Sequence, residues 1–240
     1  MLVRMHNNKR ILALLLSLFI LGCGSEQEPD TETRLGDSWQ GSSSAGSVAA
    51  LEIDADAPTV IFLGDSLSAG LHLEADLAFP AVLQRRMVER GLPFKLVNAG
   101  ISGDTAAGGV ARIDWLLKQN PSVVVVELGA NDGLRGMDTQ KIEANLRTIL
   151  LRIRDAGATS ILFGLEIPTS YGLEYTQKFR QMYVTLSDDL DLPFVEDFLV
   201  GVGGVPSMNL PDGMHPTALG HERLADNIQA VLVGVLEDLD

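Results

Sequence analysis

Apolar and polar positions along this 240-residue chain fall into blocks of two kinds, extended runs and helical stripes. Thr59-Val60-Ile61-Phe62-Leu63 and Val123-Val124-Val125-Val126 are unbroken, β-branched apolar runs. Such runs predict strands covered on both faces, as in a parallel sheet. Phe94 to Val97, Ile161 to Leu165 and Pro193 to Glu196 predict three more strands. Helical spacing fills the gaps. Phe79, Val82, Leu83 and Met87 share one face before Gly91. Ile113, Leu116 and Leu117 supply the stripe of a helix that Asp104 or Thr105 can cap, expected to reach Asn120. Ile142, Leu146, Ile149, Leu150 and Ile153 recur before Gly157, a further helix is expected from about Glu174 to Leu190, and Leu224, Ile228, Val231, Leu232 and Val235 mark the last one. The acidic end of that helix, Glu237-Asp238, opposes the helix dipole and is expected to fray. Five strands alternating with helices predict an α/β fold, a single-domain three-layer α/β/α arrangement around a five-stranded parallel sheet, over residues 57–240.

Three predicted strands end in loops of small and polar residues: Gly64-Asp65-Ser66, Ile101-Ser102-Gly103-Asp104-Thr105 and Leu128-Gly129-Ala130-Asn131-Asp132-Gly133. In open α/β sheets ligands bind outside the carboxyl ends of strands, which is where these loops would lie. Gly, Asp and Ser are equally ordinary turn residues, so a purely structural reading stays open for each loop taken alone. A serine nucleophile also needs a base, a group that orients the base, and donors for the oxyanion. Beyond the amino-terminal segment the chain offers three imidazoles, His72, His215 and His221. His72 has no neighbouring orienter, and His221 is expected on the solvated face of the last helix. His215 follows Asp212 in a turn made by Pro211, Gly213 and Pro216. That turn can carry a catalytic Asp-His pair or a pair that caps the final helix; the pattern alone leaves both open.

Taken in order, Gly64-Asp65-Ser66-Leu67, Gly103 in Ile-Ser-Gly-Asp-Thr, Gly129-Ala130-Asn131-Asp132 and Asp212-Gly213-Met214-His215-Pro216 resemble the motif blocks of the GDSL or SGNH hydrolases. The likeness is greatest to the bacterial thioesterase I, lysophospholipase L1 and arylesterase group, and covers about residues 59–238. It implies a flavodoxin-like sheet and a serine esterase acting on acyl esters, thioesters or lysophospholipids, with no cofactor. It further implies Ser66 as nucleophile, His215 as general base and then acid, and Asp212 as orienter. The implied oxyanion hole joins the backbone N–H groups of Ser66 and Gly103 to the Asn131 amide. Ile167, Pro168 and Tyr171 follow the fourth strand and are candidates to flank an acyl pocket, or simply to pack the loop.

Other classes fit less well. No serine lies in the Gly-x-Ser-x-Gly pattern of α/β-hydrolases. His221-Glu222 lacks the second histidine of a His-Glu-x-x-His site, and three scattered histidines make a poor metal cage, so no metal is expected. Deacetylation of a carbohydrate on the same site, and a non-catalytic lipid- or glycan-binding lipoprotein, remain as alternatives.

The amino terminus adds a destination. Arg4, Lys9 and Arg10 precede an apolar run from Ile11 to Leu21, too short to span a bilayer but fit for a secretory signal. It closes on Leu21-Gly22-Cys23, which resembles a bacterial lipoprotein cleavage box. The expectation is therefore a signal peptide over residues 1–22 and a lipid-anchored flexible tether over 23–56. The domain would then sit at the periplasmic side of the cell envelope, held to the membrane through lipidated Cys23. That cysteine is the chain's only one, so no intramolecular disulfide can form. Trp39 in the tether is read as incidental. The net charge of −14, more negative still once the basic leader is removed, argues against nucleic acid as a partner.

Overall fold

In chain order the computed structural model, which describes residues 53–239, begins with β1 (Thr59–Gly64), α1 (Ser66–Ala69), α2 (Phe79–Glu89) and β2 (Lys95–Asn98). It continues through α3 (Ala106–Leu117), β3 (Val123–Glu127), α4 (Ala130–Leu134) and α5 (Thr139–Asp155). β4 (Thr159–Phe163), α6 (Leu173–Leu190), β5 (Phe194–Val195) and α7 (Ala218–Glu237) complete it. The signal segment, Cys23, Trp39 and nearly all of the 23–56 tether lie outside the described residues.

The five strands are all parallel, in the order β2-β1-β3-β4-β5. That is the flavodoxin-like order, in which the chain steps from β1 out to β2 and returns past β1 to β3. Right-handed crossovers then put α2 on one face and α3, α5 and α6 on the other. α7 packs beside α2 and closes the third layer. Every residue of β3, and all of β1 but Thr59, is buried, as a strand covered twice must be. Gly64 pairs with Glu127 in register, and Phe62 with Asn98. The carboxyl ends of β1, β2 and β3 therefore finish level. Their three loops share one rim, at the point where the strand order reverses.

The layer holding α2 and α7 is aromatic at its centre. Phe79 lies 5.3 Å from Phe198 and 5.7 Å from Phe62, centroid to centroid, both near edge-on. His221 joins this cluster. Expected on the solvated face, it is instead 1% exposed and stacked on Phe79 at 6.2 Å. The Phe79 N–H donates to His221 Nδ1 at 3.1 Å. Ala78 has no side chain to cap α2, so an imidazole from α7 does it. Burial lowers the His221 pKa to about 4, which leaves the ring neutral and Nδ1 free to accept.

Two further expectations are adjusted. α3 stops at Leu117, short of Asn120, whose φ of +50° is left-handed and cannot continue a helix. The first and third polar loops each contain a turn of helix, α1 and α4. At the carboxyl end of α7, where fraying is expected, the Asp238 N–H still donates to the Gly234 carbonyl at 3.1 Å, and buried Leu232, Val235 and Leu236 line the last turns.

Candidate active site

Ser66 opens α1 directly after the end of β1. Asp65 caps that helix, its Oδ1 accepting the Leu67 N–H at 3.0 Å, which fixes the Ser66 backbone at the rim. Gly64 is required just before it. A Cβ there would collide with the Ser68 side chain and the Glu127 carboxyl.

The opposing groups come from a loop closed on itself between β5 and α7. Leu210 N–H donates to the His215 carbonyl at 2.7 Å, and Asn209 forms an antiparallel bridge with Pro216. Within that loop Asp212 Oδ1 accepts the backbone N–H groups of Met214 at 2.9 Å and His215 at 3.0 Å. Its Oδ2 lies 2.7 Å from His215 Nδ1, and His215 Nε2 lies 3.1 Å from Ser66 Oγ. The His215 backbone N–H, its ring, and the Met214 N–H together hold the Asp212 carboxyl well below the usual carboxylate range. An ionised carboxylate can only accept, so Nδ1 must donate to it. In a neutral ring Nε2 then carries the lone pair and accepts the Ser66 hydroxyl proton. The geometry thus assigns the tautomer, and it is the one a base beside a serine needs.

Asn131 stands in α4, whose start after β3 is level with Ser66. Its Nδ2 donates to Asp65 Oδ2 at 2.8 Å, leaving a second N–H for another acceptor. Gly103 has a φ of +80°, a backbone that favours glycine. The Ile101 N–H donates to the Gly64 carbonyl at 3.1 Å, and Arg135 Nη2 to the Gly103 carbonyl at 3.1 Å, which bind this loop to β1 and α4. Among the described residues the N–H groups of Ser66 and Gly103 donate to no protein acceptor.

Under this rim lies a layer that pattern reading did not single out. Arg112 of α3 ties three pieces together: Nη2 donates to the Gly64 carbonyl at 3.0 Å, Nε to Asp104 Oδ2 at 2.8 Å, and Nη1 to the Ala99 carbonyl. Glu127, fully buried at the end of β3, accepts at Oε2 from Ser68 Oγ at 2.7 Å and from the Asp65 and Ser68 N–H groups at 3.2 Å. Burial, and then repulsion from Asp65, push the Glu127 carboxyl well up. Burial raises Asp65 too, less strongly, against the hydrogen bonds it accepts. The Glu127 Oε1 receives no hydrogen bond among the described residues. Asp132 Oδ2 accepts the Ala106 N–H at 2.9 Å and fastens α4 to the start of α3.

The candidate pocket residues are less directly placed. Ile167 is buried, and its side chain abuts Gly133 of α4, while the Tyr171 hydroxyl donates to the Leu134 carbonyl at 2.8 Å. Both touch the helix that carries Asn131; Pro168 is exposed between them. Ile101 and Met214, each more than half exposed, are the large apolar side chains beside Gly103 and His215 in the chain. A recess lined by Leu150, Arg154, Thr159, Leu190 and Pro193 opens at the opposite rim of the sheet and takes no part in the site.

Set against known proteins, residues 62–223 match the GDSL-like lipase/acylhydrolase family. The chain is 40% identical over 183 residues to Esterase TesA of Pseudomonas aeruginosa, a match covering 76% of this chain and 91% of that one. It is 40% identical over 173 residues to thioesterase 1/protease 1/lysophospholipase L1 of Escherichia coli K12, covering 72% and 82% respectively. The crystal structure of EstA, a psychrotrophic esterase from Pseudoalteromonas sp. inhibited by monoethylphosphonate, aligns with a TM-score of 0.71 at 31% identity, over 75% of this chain and 99% of that one.

Proposed function

The chain belongs to the GDSL-like lipase/acylhydrolase family, and from that premise we propose that it is a serine esterase working through Ser66, His215 and Asp212. The Ser66 Oγ attacks the acyl carbonyl as His215 Nε2 takes its proton; Asp212 orients the ring and stabilises the imidazolium. The same imidazolium then protonates the leaving alcohol or thiol. Water repeats the sequence on the acyl-enzyme, returning Ser66. The N–H groups of Ser66 and Gly103 and the free N–H of Asn131 receive the negative charge that builds on the carbonyl oxygen, where each donor is worth about 2.7–4 kcal/mol. The observation that carries this reading is the unbroken relay from hydroxyl to imidazole to carboxylate, 3.1 and 2.7 Å, at the switch point of the sheet.

Acyl esters, thioesters and lysophospholipids are the proposed substrates. The names of the relatives and the exposed apolar Ile101 and Met214 support an acyl chain. Steady-state kinetics over esters and thioesters of graded acyl length test this. Ser66→Ala is expected to lower kcat by at least about 10⁴-fold on every substrate the wild type hydrolyses. Full turnover by that variant would overturn the assignment.

For the amino-terminal segment we infer a lipoprotein anchor at Cys23 that holds the enzyme to the periplasmic side of a bacterial membrane. Its support is the basic start, the apolar run and the Leu-Gly-Cys ending. Cys23→Ser should shift the protein from the membrane fraction to the soluble one; unchanged retention would refute the anchor.

A further inference from the structure

His72 is one of three histidines scattered along the domain, and the fold returns it to the site. It lies in the turn after α1, where Leu71 N–H donates to the Ser66 carbonyl at 3.1 Å and Leu73 N–H to the Gly70 carbonyl at 2.9 Å. Its φ of +70° is left-handed, a conformation that glycine or asparagine adopts more readily at this turn position. The consequence is that its exposed ring meets the His215 ring edge-on, centroids 5.9 Å apart at 88°. One ligand atom each from His72, Asp212 and His215 lies within 4.8 Å of the other two.

We propose that these three side chains form a binding site for zinc-like divalent cations, and that an ion bound there switches hydrolysis off. Two imidazoles and one carboxylate are a donor set that Zn²⁺ favours, with a fourth position left for water. Atoms around a tetrahedral zinc stand roughly 3.3 Å apart, given bonds near 2.0–2.1 Å. Small rotations of the two exposed side chains, His72 and Asp212, close that gap. Inhibition follows from the relay. His215 uses Nδ1 on Asp212 and Nε2 on Ser66, so an ion has no spare nitrogen to take. At Nε2 it removes the lone pair that accepts the serine proton. At Nδ1 it displaces the proton that bonds Asp212. His72 has no part in the relay, which lets the metal be separated from the chemistry.

The inhibitory role rests on the esterase reading, so the test has two readouts. Zinc chloride is titrated into the full chain, following ester hydrolysis and, independently, heat of binding. Zinc should inhibit, EDTA should restore activity, and magnesium chloride at equal concentration should do nothing, because Mg²⁺ prefers oxygen ligands and water. His72→Asn keeps a residue suited to the left-handed turn. It should leave the metal-free rate unchanged and raise the zinc needed for half-inhibition by about tenfold or more, with the calorimetric affinity falling in step. Equal zinc sensitivity of wild type and His72→Asn, or no one-to-one zinc binding, overturns the site. A chain that binds one zinc through His72 yet hydrolyses no ester would overturn the esterase reading and the switch, while the ion site would stand.

Discussion

Asp65 and Asp212 both stand near the Ser66 segment, and the structure treats them in opposite ways. Asp65 adjoins the serine in sequence, but it is buried against Glu127, and burial raises both acids. Asp212 lies far along the chain in an exposed turn, where two backbone N–H groups and an imidazole pull it down. The buried pair holds geometry: Asp65 caps α1 and ties Asn131, while Glu127 gathers three donors beneath the loop. The exposed carboxylate keeps its charge and directs it at His215. On the proposed esterase reading, closeness in sequence to Ser66 therefore says little about which acid orients the base. Solvation and donors decide it.

Substitutions that keep shape and change charge separate the two regions. Asp212→Asn should lower kcat by about 10²- to 10⁴-fold, because the amide no longer selects the tautomer that leaves Nε2 free. Asp65→Asn should act through Asn131, losing about 10- to 100-fold in kcat with a smaller change in KM. Steady-state kinetics on one ester compares them. A larger loss at Asp65 than at Asp212 would reverse the roles of the two acids.

Glu127 sharpens the contrast through stability. Glu127→Ala orphans three buried donors and should cost at least about 3 kcal/mol, whereas Glu127→Gln keeps the shape and an acceptor oxygen and should cost about 1 kcal/mol or less near pH 5. The pH dependence carries a sign. A buried acid with a raised pKa keeps its proton after the unfolded chain has released one, so stability falls as pH rises above the ordinary value of 4.5. The glutamine variant lacks that decline and should gain on the wild type between pH 5 and pH 8, read as urea midpoints. A constant difference across that range would mean that Glu127 is already ionised.

His221 shows the same physics in a base and gives the smallest effect. Its folded pKa, about 4, lies below the ordinary 6.5, so below 6.5 the unfolded chain takes up a proton that the folded one refuses. Stability from this residue is whole above 6.5 and is lost as pH falls towards 4. Urea midpoints of wild type and His221→Gln should converge over that interval. Parallel curves would mean that the ring is solvated after all.

The main fold was legible for a physical reason, whereas the three residues of the relay were named together only through the family resemblance. Unbroken β-branched runs such as Val123 to Val126 suit doubly covered strands, and their ends announce the rim. Asp212 and His215 share one short turn, so their pairing is local and visible. What escaped depends on contacts across the fold. Glu127 follows a valine run and reads as the strand's polar stop; only the ladder with Gly64 shows it under Ser68. Arg112 looks like any helical arginine until β1 and β2 end beside it. His221 had a usable signal, since it falls on the stripe of Leu224, Ile228 and Val235, and the spacing outranked its polarity. His72 had none, because a left-handed turn decides where its ring goes.

The most direct test of the central claim is covalent. A fluorophosphonate reacts with a serine only where a base has activated it, so the labelled protein can be digested and the adduct mapped by mass spectrometry. One phosphonylated residue is expected, Ser66, with labelling abolished in His215→Ala and slowed in Asp212→Asn. Wild-type protein that hydrolyses esters while Ser66 stays unlabelled, or labelling of Ser66 that ignores the loss of His215, would contradict the relay.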